Sequence, residues 1–408
     1  MARTTIFRRH DMTLDPLLAL RPEFPILDRV TYLVSNSLGA MPRAAADQLA
    51  TYARDWSELG VRAWSRGWWE MPLSVGDEIA PLIGAGPGDI VMMPNVTLAQ
   101  ASVLSALDYT APRDTIVMSG LDFPSVRYVY DALATRLGAR IVVVPGDDSI
   151  SVDTGRLLEA IDERTRLVAV SHVLFRSAFV MDADAICRRA HEMGALVSLD
   201  AYHSVGILPV DVRQSGVDFL TGGVLKWLCG GPGAAFLYVS SAVRDTLAPA
   251  LTGWQAHAHP FAFDDAMEYT TGAFRWLTGT PAIPALYAAL AGPRLVRRAG
   301  IAAIRAKSVR QTGRLIELAD RRGYPVNAPR AAERRGGTVA FGVPHGYEVA
   351  QALLARDILV DYRPDAGIRV APHFYTTDDE LDAVVAAIDQ ILEREEWRGF
   401  AGQQATVT

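Results

Sequence analysis

The stretch Phe219-Leu-Thr-Gly-Gly-Val-Leu-Lys-Trp-Leu-Cys-Gly-Gly-Pro-Gly233 joins an apolar, strand-like run to a glycine-rich turn, with Lys226 between them. Lysine is rare in this chain, because only Lys226 and Lys307 occur among 40 basic residues. A desolvated lysine can lose its proton, whereas an arginine in a protein cannot. A neutral amine can form a Schiff base with a carbonyl group, so Lys226 is predicted to be reactive. Lys307 lies in a helical pattern that we predict to face solvent.

Around this stretch, short apolar runs alternate with segments of helical periodicity between about residues 75 and 245. Such runs indicate buried strands of a mainly parallel sheet that helices cover on both faces. The sequence therefore predicts an α/β fold whose large domain contains a mainly parallel seven-stranded sheet. The predicted strands are Ile90–Met93, Thr115–Met118, Arg140–Val144, Leu167–Ser171, Leu196–Leu199, Phe219–Leu220 and Ala234–Val239.

The composition changes near residue 285, where one long helical stretch rich in alanine and arginine is predicted over Pro284–Arg322. Three short strands should follow, and a last helix should begin at a capping box formed by Thr377 and Glu380. We therefore predict an N-terminal arm at residues 1–30 and a large domain at residues 31–285. Residues 286–408 should form a linker helix and a small C-terminal α+β domain. The three short strands are Thr338–Phe341, Ile358–Asp361 and Ile368–Val370.

The bulk composition argues against several classes of protein. Half of the 408 residues are hydrophobic, and the net charge of −6 does not favour nucleic acid or an anionic membrane as a partner. The two cysteines, Cys187 and Cys229, predict neither a disulfide framework nor a metal site. The charged start Met1–His10 is followed by no apolar segment, so no signal peptide is predicted. No apolar run has the roughly 18 residues of a membrane-spanning helix. These features predict a soluble, cytoplasmic protein.

A carboxylate ends a neighbouring predicted strand. Asp200 closes the run Leu196–Asp200, and open α/β sheets bind ligands at the carboxyl ends of their strands. Lys226 follows one helix-and-strand unit later. This pair suits pyridoxal 5′-phosphate, because the carboxylate would keep the pyridine nitrogen protonated and the lysine would hold the aldehyde. Asp200 alone is explained equally well as a helix N-cap; together with Lys226 it favours the cofactor.

Further motifs support this interpretation. The most specific is Lys226-Trp-Leu-Cys-Gly-Gly-Pro-Gly233, and the others are Asn36-Ser-Leu-Gly39, Phe123-Pro-Ser125, Ser171-His-Val-Leu-Phe-Arg-Ser177, Asp200-Ala-Tyr-His-Ser-Val-Gly206, Gly253-Trp254 with His257, Gly279-Thr-Pro281, Asp361-Tyr-Arg363 and Ile368-Arg369. Over about residues 30 to 395 the chain thereby resembles the class V aminotransferase superfamily of pyridoxal-phosphate enzymes (fold type I), and within it the kynureninases.

The resemblance implies a role for each matching residue at the cofactor. Lys226 would bind pyridoxal 5′-phosphate covalently and move the α-proton, and Asp200 would pair with the pyridine nitrogen. Phe123 would stack on the ring, with His203 close to it. The phosphate would be held by the residues around the start of a helix and by a nearby hydroxyl, namely Val96, Thr97 and Ser204.

The resemblance also implies a substrate site and a homodimer. Arg369 would bind the carboxylate of an amino-acid substrate through two parallel hydrogen bonds. Trp254 and Thr280 would reach the site from the partner subunit. The substrate pocket would be lined by Asn36, Ser37, Trp64 and His257.

The chain departs from the kynureninase pattern at several positions. Val224 and Leu225 replace a serine and a tyrosine that usually precede the lysine, so two phosphate contacts are missing, and Ser204 is expected to replace one. Ser125-Val126 stands in place of Thr-Asp, which removes a carboxylate, and Trp64 replaces a histidine. The implied reaction is hydrolytic cleavage of the Cβ–Cγ bond of kynurenine or a related substrate. Aminotransferase and β-eliminating C–S lyase activities remain alternatives.

Overall fold

The computed structural model describes residues 15–402. Its strands are β1 (Thr31–Tyr32), β2 (Ile90–Met93), β3 (Thr115–Ser119), β4 (Arg140–Val144), β5 (Thr165–Ser171), β6 (Leu196–Asp200), β7 (Phe219–Gly223), β8 (Ala235–Val239), β9 (Val339–Phe341), β10 (Ile358–Leu359), β11 (Asp361–Arg363) and β12 (Gly367–Val370). Its α-helices are α1 (Arg43–Leu59), α2 (Met71–Ile79), α3 (Val96–Ser105), α4 (Pro124–Leu137), α5 (Thr154–Glu159), α6 (Ala183–Glu192), α7 (Val212–Ser215), α8 (Ile283–Ala289), α9 (Ala291–Ala299), α10 (Ile301–Asp320), α11 (Gly346–Leu354) and α12 (Asp378–Glu393).

The central sheet has seven strands in the order β2-β8-β7-β6-β5-β3-β4. The strands β3 to β7 are parallel to one another, and β8 is antiparallel to both of its neighbours, β7 and β2. All strands except β8 therefore run in one direction, and their carboxyl ends meet at one edge. Burial of every residue of β2, β3, β7 and β8 fits a sheet that is covered on both faces. The predicted α/β fold with a mainly parallel sheet is confirmed.

A smaller antiparallel sheet, in the order β11-β12-β9, lies in the C-terminal part. Helices α10, α11 and α12 pack against it around a second hydrophobic core. The capping box predicted for α12 is present, since Thr377 accepts from the N–H of Glu380 and the Glu380 carboxylate accepts from the N–H of Thr377. Burial of the apolar stripe from Leu381 to Ile391 stabilises this helix.

The helical stretch after residue 283 differs from the prediction. The single long helix predicted over Pro284–Arg322 is divided into α8, α9 and α10. Gly300 separates the last two helices because its backbone adopts a φ of +82°, which interrupts helical geometry. The prediction that Lys307 faces solvent is wrong, because this side chain on α10 is 4% exposed and pairs with Asp15.

The first described residues pack against both parts of the chain. Two 3-10 helices, Pro16–Glu23 and Pro25–Asp28, bury Leu17, Leu18 and Leu27. Strand β1 then pairs with β10, and Leu33 belongs to the C-terminal core. The beginning of the predicted arm, residues 1–14, lies outside the described residues. The domain boundaries stay predictions.

Within residues 15–402, none of the helices is both long and apolar enough to span a membrane.

Candidate active site

A cavity of about 300 Å³ opens at the carboxyl edge of the central sheet. This edge collects the ends of several parallel strands, which is where α/β sheets bind their ligands. Six of the predicted site residues line it: Val96, Thr97, Phe123, Asp200, His203 and Lys226. The other lining residues are Asn95, Ser125, Ser171, Val173, Phe175, Tyr202 and Leu225.

Lys226 lies in the loop between β7 and β8. The N–H of Gly230 donates to the carbonyl of Val224 at 2.7 Å and closes this loop. Gly39 allows a second chain segment to approach, because a Cβ at this position would lie 2.2 Å from the carbonyl oxygen of Lys226. The backbone around the lysine is therefore fixed from two sides, and only the side chain extends into the cavity.

The amine of Lys226 lies beside the imidazole of His203 and near two aromatic rings. Its Nζ lies 2.5 Å from Nε2 of His203. The ring centroids of Tyr202 and Phe123 lie 4.6 Å and 5.6 Å from the same nitrogen. Burial lowers the pKa of the Lys226 amine to about 7, and the positive charge of Arg369 acts in the same direction. Burial likewise holds the pKa of His203 well below its usual range. A large share of the Lys226 amine is therefore neutral at physiological pH.

Asp200 ends β6, the strand next to β7, and lines the same cavity as Lys226. Its Oδ1 accepts a hydrogen bond from the N–H of Tyr202 at 2.9 Å. Burial raises the pKa of this carboxyl group, and the nearby negative charge of Asp122 adds to the increase, whereas Lys226 opposes it. An additional cationic N–H donor beside Asp200 would stabilise its ionised form.

Asp122 is a second buried carboxylate, which the sequence did not single out. It accepts hydrogen bonds from the N–H of Ser119 at 3.0 Å and of Ser171 at 2.7 Å. These bonds link the ends of β3 and β5 beneath the cavity. Asp122 does not line the cavity, and backbone N–H groups occupy both of its oxygens, so it joins the strand ends and does not restore the carboxylate missing at Val126. A signal was present in the sequence, because Asp122 directly precedes the Phe123-Pro124 motif.

The start of α3 forms another wall of the cavity. Asn95 caps the helix by accepting from the N–H of Leu98 at 3.0 Å, and Val96 and Thr97 form its first turn. The first N–H groups of a helix have no partner within the helix and attract anions. The phosphate role predicted for Val96 and Thr97 is compatible with this geometry.

The phosphate role of Ser204 stays a prediction that this geometry does not support. This residue is fully buried and does not line the cavity, and its hydroxyl donates to the carbonyl of Ala201 at 3.1 Å. The physical reason is the tight turn after β6, which directs the short side chain back onto its own backbone.

The guanidinium of Arg369 makes two parallel hydrogen bonds with a carboxylate of the same chain, that of Asp361. Its Nε donates to Oδ1 of Asp361 at 2.8 Å and its Nη2 to Oδ2 of the same carboxylate, while Nη1 donates to the carbonyl of Phe175. The predicted two-bond contact with a substrate carboxylate is therefore made with Asp361 instead. The guanidinium is only 2% exposed but close enough to lower the pKa of Lys226.

The loop that carries Asn36 and Ser37 contacts the Lys226 loop through the N–H of Gly39, which donates to the carbonyl of Leu225 at 2.8 Å. Asn36 is completely buried, and within residues 15–402 neither polar atom of its side-chain amide has a hydrogen-bond partner. Such a group is costly unless a ligand satisfies it.

Eight of the fourteen predicted site residues do not line the cavity within one chain: Ser204, Arg369, Asn36 and Ser37, described above, and Trp64, His257, Trp254 and Thr280. Trp64 packs edge to face against Trp68 and Trp69, with centroid distances of 5.6 Å and 6.5 Å. The imidazole of His257 interacts with its own loop through the carbonyl of Ala266 and the N–H of His259. The remaining two, Trp254 and Thr280, are exposed.

The residues brought together fit pyridoxal 5′-phosphate. The cavity offers one amine of lowered pKa for the aldehyde and a buried carboxylate for the pyridine nitrogen. It also offers Phe123 for the ring face and a helix start for the phosphate. Among residues 15–402, no group of three or more His, Cys, Asp or Glu side chains could hold a metal ion.

Solved structures share this fold. An apo cysteine desulfurase from Thermococcus onnurineus NA1 superposes with a TM-score of 0.82 at 24% identity, covering 92% of this chain and 98% of that one. The cystine C–S lyase C-DES, in complex with cysteine persulfide, gives a TM-score of 0.82 at 23% identity and covers 90% and 98% of the two chains. At this identity the similarity shows the fold alone.

Sequence comparison identifies the family. The kynureninase of Burkholderia pseudomallei (strain 1106a) is 34% identical over 402 residues, and that of Pseudomonas fluorescens is 34% identical over 398 residues. Each match covers 94% of both chains. The class-V aminotransferase family matches residues 31–383. The chain therefore belongs to the class-V aminotransferase family and is an enzyme that depends on pyridoxal 5′-phosphate.

Proposed function

We propose that this enzyme hydrolyses the Cβ–Cγ bond of kynurenine or of a related amino acid with a γ-carbonyl group. The observation that carries the proposal is the similarity to kynureninases over 94% of the chain. The aromatic lining of the cavity by Phe123, Phe175 and Tyr202 supports a substrate with an aromatic ring.

Lys226 is the proposed proton carrier. When bound, pyridoxal 5′-phosphate supplies the electron sink that makes loss of the α-proton possible. With the substrate bound, the amine of Lys226 would be free, and its lowered pKa would leave it neutral and able to accept that proton. His203, at 2.5 Å, holds the amine in position, and its own low pKa keeps it from adding a competing positive charge.

Asp200 and Phe123 are the proposed partners of the cofactor ring, and Val96 and Thr97 those of its phosphate. In the hydrolytic step, the oxygen of a water molecule joins Cγ while the Cβ–Cγ bond breaks. Cβ takes up a proton, so the products are alanine and a carboxylic acid, which is an anthranilate when kynurenine is the substrate. Every atom of the substrate and of the water is found in these two products.

Asn36, Ser37 and Arg369 are the proposed substrate contacts. The unsatisfied amide of Asn36 supports a contact with a polar group of the substrate. Asp361 and Phe175 occupy three of the five N–H groups of the Arg369 guanidinium, so one of the other two is the proposed donor to the substrate carboxylate. Its nearby positive charge favours an anionic group in the cavity.

A homodimer would complete the site, with Trp254 and Thr280 contributed by the partner subunit and with Trp64 and His257 beside the substrate. Trp254 is 44% exposed and packs with Trp69, Phe261 and Phe263 into an aromatic surface. An exposed apolar patch of this kind is typical of an interface. Light scattering should therefore give twice the 44.3 kDa of one chain; a monomeric mass would contradict the dimer. A cytoplasmic location is proposed as well, supported by two buried, unpaired cysteines.

The reaction is tested by incubating the cofactor-loaded enzyme with kynurenine and 3-hydroxykynurenine. We expect fluorescent anthranilate products together with an equal amount of alanine. Parallel reactions with other amino acids are assayed for keto acids and, with cystine, for persulfide. Keto acid without anthranilate or persulfide would replace the proposal by an aminotransferase, and pyruvate formed together with persulfide from cystine would replace it by a C–S lyase.

A further inference from the structure

Tyr202 is a cavity residue without an assigned role. It follows Asp200 by two positions, and its ring centroid lies 4.6 Å from Nζ of Lys226. Its backbone N–H donates to Oδ1 of Asp200, which fixes where the side chain begins. Within residues 15–402 its hydrogen bond is made by the backbone N–H, and none is found to its hydroxyl. The phenol is therefore available to a ligand.

The position of the Tyr202 hydroxyl follows from its close contact with Gly223. The φ of Gly223 is not positive, so its backbone conformation does not require glycine. The reason for glycine is space, because a Cβ here would lie 2.2 Å from both Cζ and Oη of Tyr202. The hydroxyl thus packs over the last residue of β7, three positions before Lys226.

The same end of the cavity contains the start of α3. Nε2 of Gln100 donates to Oγ1 of Thr221 at 2.7 Å, which places α3 alongside β7. Because β2 runs parallel to β7 and α3 returns after β2, the first turn of α3 lies at the carboxyl end of β7. The hydroxyl of Tyr202 and the free N–H groups near Thr97 therefore converge on one region.

This region is poor in charge. Lys226 is the one lysine or arginine among the described residues that line the cavity, and its amine is needed by the aldehyde. Ser204 is turned onto Ala201, and Val224 and Leu225 have no hydroxyl. A phosphate group bound here would depend on uncharged hydrogen-bond donors. Tyr202 is the largest side chain among those donors.

We propose that the Tyr202 hydroxyl donates a hydrogen bond to the phosphate of pyridoxal 5′-phosphate and that Gly223 provides the space for it. Burial raises the pKa of the phenol above its usual value, so it stays protonated, as a donor must, at neutral pH. The inference rests on the cofactor and not on the identity of the reaction.

The first test compares two ligands that differ by the phosphate alone. Apoenzyme of the wild type, of Tyr202→Phe and of the control Tyr128→Phe, whose side chain is 69% exposed, is titrated with pyridoxal 5′-phosphate and with pyridoxal, and tryptophan fluorescence gives Kd. Removing a hydrogen bond to a charged group should raise Kd for the phosphorylated ligand about tenfold or more. The Kd for pyridoxal should stay unchanged, as should both constants of the control.

The second test uses the glycine. Gly223→Ala should displace the tyrosine ring and raise Kd for pyridoxal 5′-phosphate, but it should add nothing in a Tyr202→Ala background. An unchanged Kd in Tyr202→Phe overturns the proposal, and so does an equal loss for both ligands, which would locate the phenol at the ring. Neither binding measurement depends on kynurenine turnover, so a negative result for Tyr202 leaves the proposed reaction untouched.

Discussion

The two lysines of the chain occupy two buried regions with opposite consequences. Lys226 extends into the cavity at the carboxyl edge of the sheet, and Lys307 lies where α10 meets the first described residues. Burial lowers the pKa of both amines. Lys307, however, lies 2.8 Å from a carboxylate oxygen of Asp15 and donates to the carbonyl of Phe374 at 2.7 Å.

The difference is the counter-charge. At Lys307 the carboxylate of Asp15 opposes the effect of burial on the pKa and stabilises the charged amine. At Lys226 the closest polar group is a neutral imidazole, and Arg369 contributes a repelling charge. Burial alone therefore does not make a lysine a nucleophile. A buried lysine becomes reactive when its surroundings leave the charged form unsatisfied.

The largest expected effect comes from replacing each lysine in turn by methionine. Lys226→Met should remove the covalent link to the cofactor and lower turnover at least about a thousandfold, because both nucleophile and proton carrier are lost. Lys307→Met should leave both properties unchanged. Borohydride reduction of the holoenzyme followed by peptide mass spectrometry locates the link, and a cofactor adduct at Lys307 would reverse the comparison.

A smaller effect is expected from Asp15→Asn, which keeps the helix cap but removes the counter-charge of Lys307. Because Lys307 is 4% and Asp15 20% exposed, we expect a loss of about 2 kcal/mol of stability at neutral pH. Without the carboxylate, the folded-state pKa of Lys307 falls further below its unfolded value. The loss should therefore shrink as the pH rises through the folded-state pKa of Lys307 in the wild type, which lies below the unfolded value of about 10.4, because above it the amine is neutral in both folded proteins.

Thermal unfolding of the holoenzyme measures this loss at pH 7 and at pH 10. The exposed Asp28→Asn variant is the control for loss of one negative charge. An equal loss at both pH values would mean that the Asp15 contact is not electrostatic.

Much of the fold follows from local pattern. The predicted strands Ile90–Met93 and Arg140–Val144 match the structure at both ends, because short apolar runs between helices define buried strands. Helical periodicity missed the division after residue 283, although Gly300 was a stop signal in the sequence. It also missed the burial of Lys307, which depends on a tertiary contact with Asp15.

The candidate site was predicted in part. The pairing of Asp200 with Lys226 could be inferred because strand order brings the ends of β6 and β7 together. The direction of the Ser204 hydroxyl could not, since in a tight turn it is decided by neighbouring carbonyls. Asp361 belongs to the motif Asp361-Tyr-Arg363, but its hydrogen bond with Arg369 could not be predicted, because it depends on the pairing of β11 with β12.

The pairing of β1 with β10 has a mechanical consequence for the loop at Asn36. One end of that loop is tethered to the C-terminal part through Thr31 and Tyr32, and the other end to the backbone beside Lys226 through Gly39. A rotation of the small sheet against the large one would therefore move this loop relative to the backbone that carries Lys226. The position of the small sheet and the geometry around the reactive amine are thereby connected by a short segment of chain.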